Sequence, residues 1–252
     1  MSKTLPSSLE LGSNLAVEVR TLEEGHHFTI ETGPSEYVIV ILTGTCSVKI
    51  ESSEQMFDHL GGRTSVFDGV TTSVYLPKSC QAYIEANSST TSVALVSAHA
   101  HTEREAYVIM PNEVRIEHRG QASWQREVHT IITDSHKTDA LIVGETFSTT
   151  GVWSAYPPHR HDLDQLPNES NHDEIFYFRI EPDTGFAVQV SYETAASPKQ
   201  ASIIQHEDFL SVNEGYHSFV AAAGHKFYYL WALAGKNRNF VMHVDEQYDW
   251  LE

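Results

Sequence analysis

Short β-type runs recur along the whole chain, at residues 37–42, 46–50, 73–76, 92–98, 108–109 and 116–118, and again at 140–147, 174–180, 186–192, 209–212, 218–222 and 227–234. Their β-branched and aromatic side chains are broken every few positions by Gly, Pro, Asn or Ser, which suits strands, while the 3.6-residue apolar period of a helix is weak everywhere. Gly33-Pro34, Gly61-Gly62, Pro157-Pro158, Pro182-Asp183-Thr184-Gly185 and Ala223-Gly224-His225 read as turns between them. Many short strands with turn signals predict an all-β sandwich or barrel rather than alternating α/β units.

The runs form two groups of similar size that part near residues 118–130, each with a glycine-containing turn between its first strong strands. Two β-rich domains are expected, residues 1–122 and 123–252, with a single larger β-sandwich as the alternative. The acidic, aromatic stretch from Val244 to Trp250 is expected to pack back on the body with Trp250 as its anchor.

Composition narrows the setting. A chain of 252 residues buries an adequate core without staples. Two cysteines, Cys46 and Cys80, exclude a disulfide framework and read as buried thiols in a reducing compartment. The first thirty residues carry Glu10, Glu18, Glu23 and Glu24 and no continuous apolar run, so no signal peptide or anchor is expected, and cytoplasmic residence is. Sixteen Lys and Arg against thirty-four Asp and Glu give a formal charge of −18, which repels phosphate backbones and anionic lipid, so nucleic acid and membrane are not expected partners. A small anionic substrate still fits where a metal and an Arg or Lys reverse the potential locally. No phosphate-binding glycine loop, dinucleotide fingerprint or Gly-x-Ser-x-Gly elbow is present, which disfavours nucleotide-driven and serine-hydrolase chemistry. Exposed strand edges leave pairing into a homodimer open.

The candidate chemistry lies in the second half. His159 and His161 are two apart, so in an extended segment both imidazoles point to one side and Arg160 to the other. Glu174 shares the parity of Phe176, Phe178 and Ile180, and a carboxylate on that apolar face needs a compensating partner. His217 follows the turn Asn213-Glu214-Gly215-Tyr216 and completes a set of three nitrogens and one oxygen. Such a set suits Zn, taken first, and equally Mn, Fe, Co or Ni. His172 shares the parity of Glu174 and stands as a substitute ligand, and one of Asp162, Asp164 and Glu169 is placed to orient a ligand imidazole. Tyr229 alternates with Phe227 and Trp231 in an apolar row where its hydroxyl needs a partner; Gln189 is read as facing away from the core and is counted with Arg160, Arg179 and Trp153 as a candidate substrate contact. Arg160 and Arg179 are the nearest candidates for holding a carboxylate, although parity counts against both. Trp153 is a candidate wall of a substrate pocket. In the first half, His26, His27, His99 and His101 are not combined with a downstream carboxylate and a Gly-x-His turn, and that half is read as structural, without a metal site.

The segment Trp153-Ser154-Ala155-Tyr156-Pro157-Pro158-His159-Arg160-His161-Asp162 resembles the 5-deoxy-glucuronate isomerase family of bacterial inositol catabolism. The likeness continues through Glu174-Ile175-Phe176-Tyr177-Phe178-Arg179-Ile180, Gly185-Phe186, Gln189-Val190, Gly215-Tyr216-His217, Gly224, Phe227-Tyr228-Tyr229-Leu230 and Ala234-Gly235, and also touches Arg63 to Gly69, Tyr75-Leu76-Pro77, Arg126-Glu127-Val128-His129 and Leu141-Ile142-Val143-Gly144-Glu145. Val152, Asn213 and Trp231 depart from the pattern. The family is similar to cupins and to the uronate ketol-isomerases of pectin breakdown, so the resemblance implies a bicupin: two double-stranded β-helix, or jelly-roll, domains, the first degenerate. It implies His159, His161, Glu174 and His217 as metal ligands, and an aldose–ketose isomerase that converts a small sugar acid, 5-deoxy-D-glucuronate, to 5-dehydro-2-deoxy-D-gluconate. A base then moves the C2 proton toward C1, with Tyr229, Asp162 and His172 as candidates and Glu174 disfavoured by ligation. A related uronate ketol-isomerase, an oxygen-activating cupin dioxygenase and a non-catalytic sugar-acid-binding cupin remain as rivals.

Overall fold

The computed structural model describes residues 8–11, 15–51, 53–133, 135–236 and 238–251. Strands make up most of it, with three short 3-10 helices among the described residues. The runs read at residues 73–76, 186–192 and 209–212 coincide with the strands Ser73–Leu76, Phe186–Tyr192 and Phe209–Val212. No helix of the described residues is long and apolar enough to cross a membrane.

Each of two compact units is built from two antiparallel sheets. In the first, a six-stranded sheet runs in the order Ser8–Glu10, Ala16–Glu23, Thr90–His99, Ser35–Thr43, Ser73–Leu76, Tyr107–Ile109, and a four-stranded sheet in the order His27–Glu31, Gln81–Ala86, Thr45–Ile50, Met56–Gly61. Alternate residues of both sheets meet in one aliphatic core, with Ile39, Val74 and Leu95 from one and Cys46, Val48 and Ile84 from the other. Cys46 and Cys80 are both free and buried in this unit, and burial pushes the Cys46 thiol up to about 12.

The second unit repeats the plan. Its six-stranded sheet runs Arg115–Arg119, Arg126–Thr130, Ile142–Ser148, Lys226–Gly235, His172–Glu181, Phe209–Val212, and its five-stranded sheet Gln200–Gln205, Phe186–Tyr192, Tyr216–Ala221, Trp153–Arg160, His243–Val244. Neighbours far apart in sequence are what a jelly roll requires, because successive strands cross from one sheet to the other. The core here is aromatic: Phe176, Phe178, Phe227 and Tyr229 from the first sheet meet Phe219 and Ala187 from the second.

The chain does not pass between the units at a single point near residue 122. The described residues of Ser7–Arg115 are joined by Thr130–Val143, and Ile116–His129 by the described residues of Gly144–Glu252. The physical reason for the return of 130–143 is Glu36. Its fully buried carboxylate accepts the backbone N–H groups of Asp139, Ala140 and Leu141 at 2.8, 2.8 and 2.9 Å and the Tyr75 hydroxyl at 2.9 Å. Arg104 adds an ion pair to Asp139 at 2.7 Å. Alternation of apolar residues carries no sign of such a clasp, because a buried Glu in a strand reads as an outward one.

Two expectations are corrected. Pro157-Pro158 is not a turn but lies within Trp153–Arg160, where the pairing to Tyr216–Ala221 shifts register between Ser154 and His159. The C-terminal segment does pack back, but Trp250 is 74% exposed and anchors nothing. The segment is held by pairing of His243–Val244 to Arg160 and His159, and by buried Asp245, which accepts the Tyr192 hydroxyl at 2.6 Å.

Replacing Glu36 by Ala leaves three amides, that of Leu141 buried and those of Asp139 and Ala140 partly so, and the buried Tyr75 phenol without this acceptor. Chemical denaturation is expected to show a loss of about 2–4 kcal/mol, with little change for Glu51→Ala on the surface.

Candidate metal centre

The site is assembled from three elements by register. His159 in Trp153–Arg160 lies directly across from His217 in Tyr216–Ala221, which puts both imidazoles on the inner face of the second sheet. Glu174 projects from the facing sheet, in His172–Glu181, two residues before the core residue Phe176. His161 follows the end of the Trp153–Arg160 strand. Glycine sets the position of His217: Gly215 has φ +81°, and a Cβ there would lie 2.8 Å from the Tyr192 carbonyl oxygen.

Ligand atoms of His161, Glu174 and His217 all lie within 4.8 Å of one another, and all three residues are buried. His159 stands beside them rather than among them, with its ring centroid 4.6 Å from His217 and 6.2 Å from His161. Three of the four expected ligands therefore converge, and the fourth packs against the cluster.

The hydrogen bonds show which atoms are available. His161 Nδ1 donates to the His172 carbonyl at 2.8 Å, so its Nε2 presents a lone pair, and that nitrogen lies 3.0 Å from Glu174 Oε2. Two acceptors at that distance need a proton or a cation between them. Neither ring nitrogen of His217 has a hydrogen-bond partner among the described residues, although Nε2 is 3.5 Å from Glu174 Oε2. Buried, unsatisfied imidazole nitrogens aimed at a carboxylate fit a divalent cation.

Electrostatics agree with this. Burial alone raises the Glu174 carboxyl, but the hydrogen bond from His161 and the nearness of both the His161 and His217 imidazoles outweigh it and hold the group at about 2. Burial lowers His161, but Glu174 outweighs it and holds the imidazole above its ordinary value. His159 is held well below its ordinary value by burial and by the His217 and His161 rings, so it is a neutral base.

The remaining expected residues separate clearly. Tyr229 faces the interior, its hydroxyl 2.7 Å from Ser154 Oγ, and burial raises its pKa. Gln189 is buried opposite Phe219 and faces inward; the outward reading is corrected, because Phe186 and not Gln189 is on the exposed side of that strand. Asp162 Oδ2 accepts the Gly215 N–H at 2.6 Å, so it braces the turn that carries His217. His172 contributes its carbonyl to His161, while its ring bonds Ser170 Oγ and packs on Phe240.

Arg160 and Arg179 point away from the interior and are engaged by Glu169 at 3.2 Å and Glu207 at 2.9 Å, as strand alternation dictates. Trp153 pairs with outward Val220 and packs on Tyr156, so it does not line the interior. The inner face instead carries Thr146, whose Oγ1 accepts the Trp231 indole N–H at 3.1 Å, and Gly144, where a Cβ would overlap the Trp231 ring. Reasoning from the sequence gave no role to Ser154 and Thr146, because small hydroxyls in strands are generic.

A double-stranded β-helix with a buried His/Glu cluster inside one barrel defines a cupin-type protein. Solved structures of the same plan include Bacillus subtilis oxalate decarboxylase, with a TM-score of 0.63 at 15% identity over 92% of this chain and 71% of that one. The KduI/IolB family model matches residues 6–251, and the chain belongs to that family. An IolB-like protein of Salmonella typhimurium superposes with a TM-score of 0.90 at 32% identity, covering 94% of this chain and 89% of that one. The 5-deoxy-glucuronate isomerase of Geobacillus kaustophilus is 37% identical over 237 residues, 93% of this chain and 84% of the relative. That of Bacillus subtilis strain 168 is 34% identical over 236 residues, 93% of this chain and 86% of the relative.

In metal-free protein the ionised Glu174 contributes stability that is complete above the ordinary carboxyl value of 4.5 and is lost as pH falls through about 2. The protonated His161 contributes below the ordinary 6.5 and loses its contribution as pH rises through its elevated pKa. Metal uptake displaces the His161 proton, so affinity rises with pH until that proton is gone. Calorimetric titration with Zn in buffers of different ionisation enthalpy reads the released proton, and His161→Ala abolishes both the release and the binding.

Proposed function

We propose that this chain is a metal-dependent aldose–ketose isomerase that converts 5-deoxy-D-glucuronate to 5-dehydro-2-deoxy-D-gluconate in inositol catabolism. The observation that carries the reading is the buried cluster of His161, Glu174 and His217, in a chain of this family whose relatives are 5-deoxy-glucuronate isomerases. His159 joins the three as fourth ligand, and Zn is the first ion to test, before Mn, Fe, Co and Ni. A divalent ion held there supplies Lewis-acid polarisation of the substrate carbonyl.

The chain's own groups do the rest. The hydrogen bonds that His161 donates to the His172 carbonyl and the Gly215 N–H donates to Asp162 hold His161 and the turn of His217 in place, which lowers the reorganisation needed during reaction. Tyr229, kept protonated by burial, donates a hydrogen bond to the substrate oxygen on which charge develops, and Ser154 orients its hydroxyl. Phe176 and Phe219 close the interior beneath and keep water from a charge-bearing intermediate. Glu174, held near 2, is too weak a base to take the C2 proton, and its part is to bind the ion.

The test is turnover of 5-deoxy-D-glucuronate in deuterated water by metal-loaded protein without oxygen. The ketose is expected, with solvent deuterium in it. Chelation removes the activity and added metal restores it, and Tyr229→Phe lowers kcat by roughly 100-fold with metal content unchanged. Full activity after chelation, or a strict need for oxygen, overturns the proposal.

A further inference from the structure

The inner face of the six-stranded sheet in the second unit carries a cation, Arg126, that the metal centre does not use. Arg126 lies in Arg126–Thr130, next to Ile142–Ser148, which in turn neighbours Lys226–Gly235. On one face of these strands Glu127 bonds His129, His129 packs on Phe147, Phe147 on Tyr228, and Tyr228 bonds Glu145. Alternation puts Arg126 on the other face, the one that carries Thr146, Tyr229 and Trp231 into the barrel.

Arg126 is half-buried there without a carboxylate partner among the described residues. Its side-chain bond is from Nη1 to the Trp124 carbonyl at 3.3 Å. In a chain of thirty-four acidic residues the contrast with other arginines is informative. Arg20, Arg104, Arg119, Arg160 and Arg179 are each paired, with Glu18, Asp139, Glu117, Glu169 and Glu207. A guanidinium turned inward and withheld from the acids of its own chain is available to an anion that enters from outside.

The interior also has an order. The Phe176 ring lies 5.9 Å from the His217 ring and 5.6 Å from the Tyr229 ring, so Phe176 links the metal centre to Tyr229. The Tyr229 hydroxyl is close enough to feel both the Glu174 charge and the Arg126 charge. A sugar acid has the same polarity, with a carbonyl at one end and a carboxylate at the other.

We propose that Arg126 binds the carboxylate of the sugar acid and selects acids over neutral sugars, with the carbonyl end at the His161, Glu174 and His217 cluster. The orientation rests on the isomerase reading; the carboxylate site does not. Arg126 is a specificity residue that touches the substrate far from the reacting carbons.

The experiment compares 5-deoxy-D-glucuronate with 5-deoxy-D-glucose, which has a hydroxymethyl group in place of the carboxylate, on metal-loaded wild type and Arg126→Gln. Binding is measured by calorimetry and turnover by product formation. In Arg126→Gln the affinity for the acid is expected to fall roughly 10- to 100-fold, that for the neutral sugar to stay within about 3-fold, and metal content to stay unchanged. Arg126→Lys, which keeps the charge and loses the fork, is expected to fall between and also serves if Arg126→Gln does not fold. An acid preference unchanged in both variants, an equal loss for both ligands, or a wild type that binds acid and neutral sugar equally overturns the proposal. If wild type binds the acid without converting it, the isomerase reading fails while the carboxylate site is judged by the same ratio.

Discussion

The second unit is organised around a carboxylate that has no business in an apolar barrel unless something positive stays beside it. Glu174 sits two residues before Phe176 on the core face, and its oxygen is met by nitrogens of His217, in a strand of the opposite sheet, and of His161, just past the end of the neighbouring strand. An unpaired charge at that depth costs several kcal/mol, so the positions of His161 and His217 are set by this one group. The supports follow from the same demand. The His172 carbonyl fixes one ring, the Asp162 bond to Gly215 fixes the turn behind the other, and His243–Val244 closes the edge of the strand that carries His159.

The two units use one architecture for different ends. The first fills its interior with Ile, Val, Leu and two thiols, which leaves a packed core. The second fills the lower part with phenylalanines and leaves hydroxyls, imidazoles and a guanidinium above them. Aromatic rings suit that division, because they cap the dry layer while presenting an edge to the polar layer over it.

Much of this was legible in the chain itself. The all-β class followed from runs of β-branched and aromatic residues, and the family from the stretch around His159 together with the Gly215-Tyr216-His217 turn. Parity alone put His159 and His161 on one side, set Glu174 with the core, and counted against Arg160 and Arg179. What stayed hidden depends on pairing between distant strands. Gln189 faces inward because it is opposite Phe219, and no local pattern records that. Ser154 and Tyr229 meet across the two sheets, and Glu36 recovers a segment about a hundred residues later in the chain. Trp250 misled for the converse reason: a large aromatic suggests burial, while a buried aspartate, Asp245, holds the segment.

Gly144 and Trp231 occupy a single shared volume, the indole filling the space that a side chain at residue 144 would take. The two positions are thus one hereditary unit. Drift at residue 144 toward any larger side chain evicts the indole from the wall of the barrel, and drift at residue 231 toward a smaller one opens a void over a glycine that cannot fill it. A lineage reshaping this wall for another guest must alter both positions together or pass through a damaged ancestor.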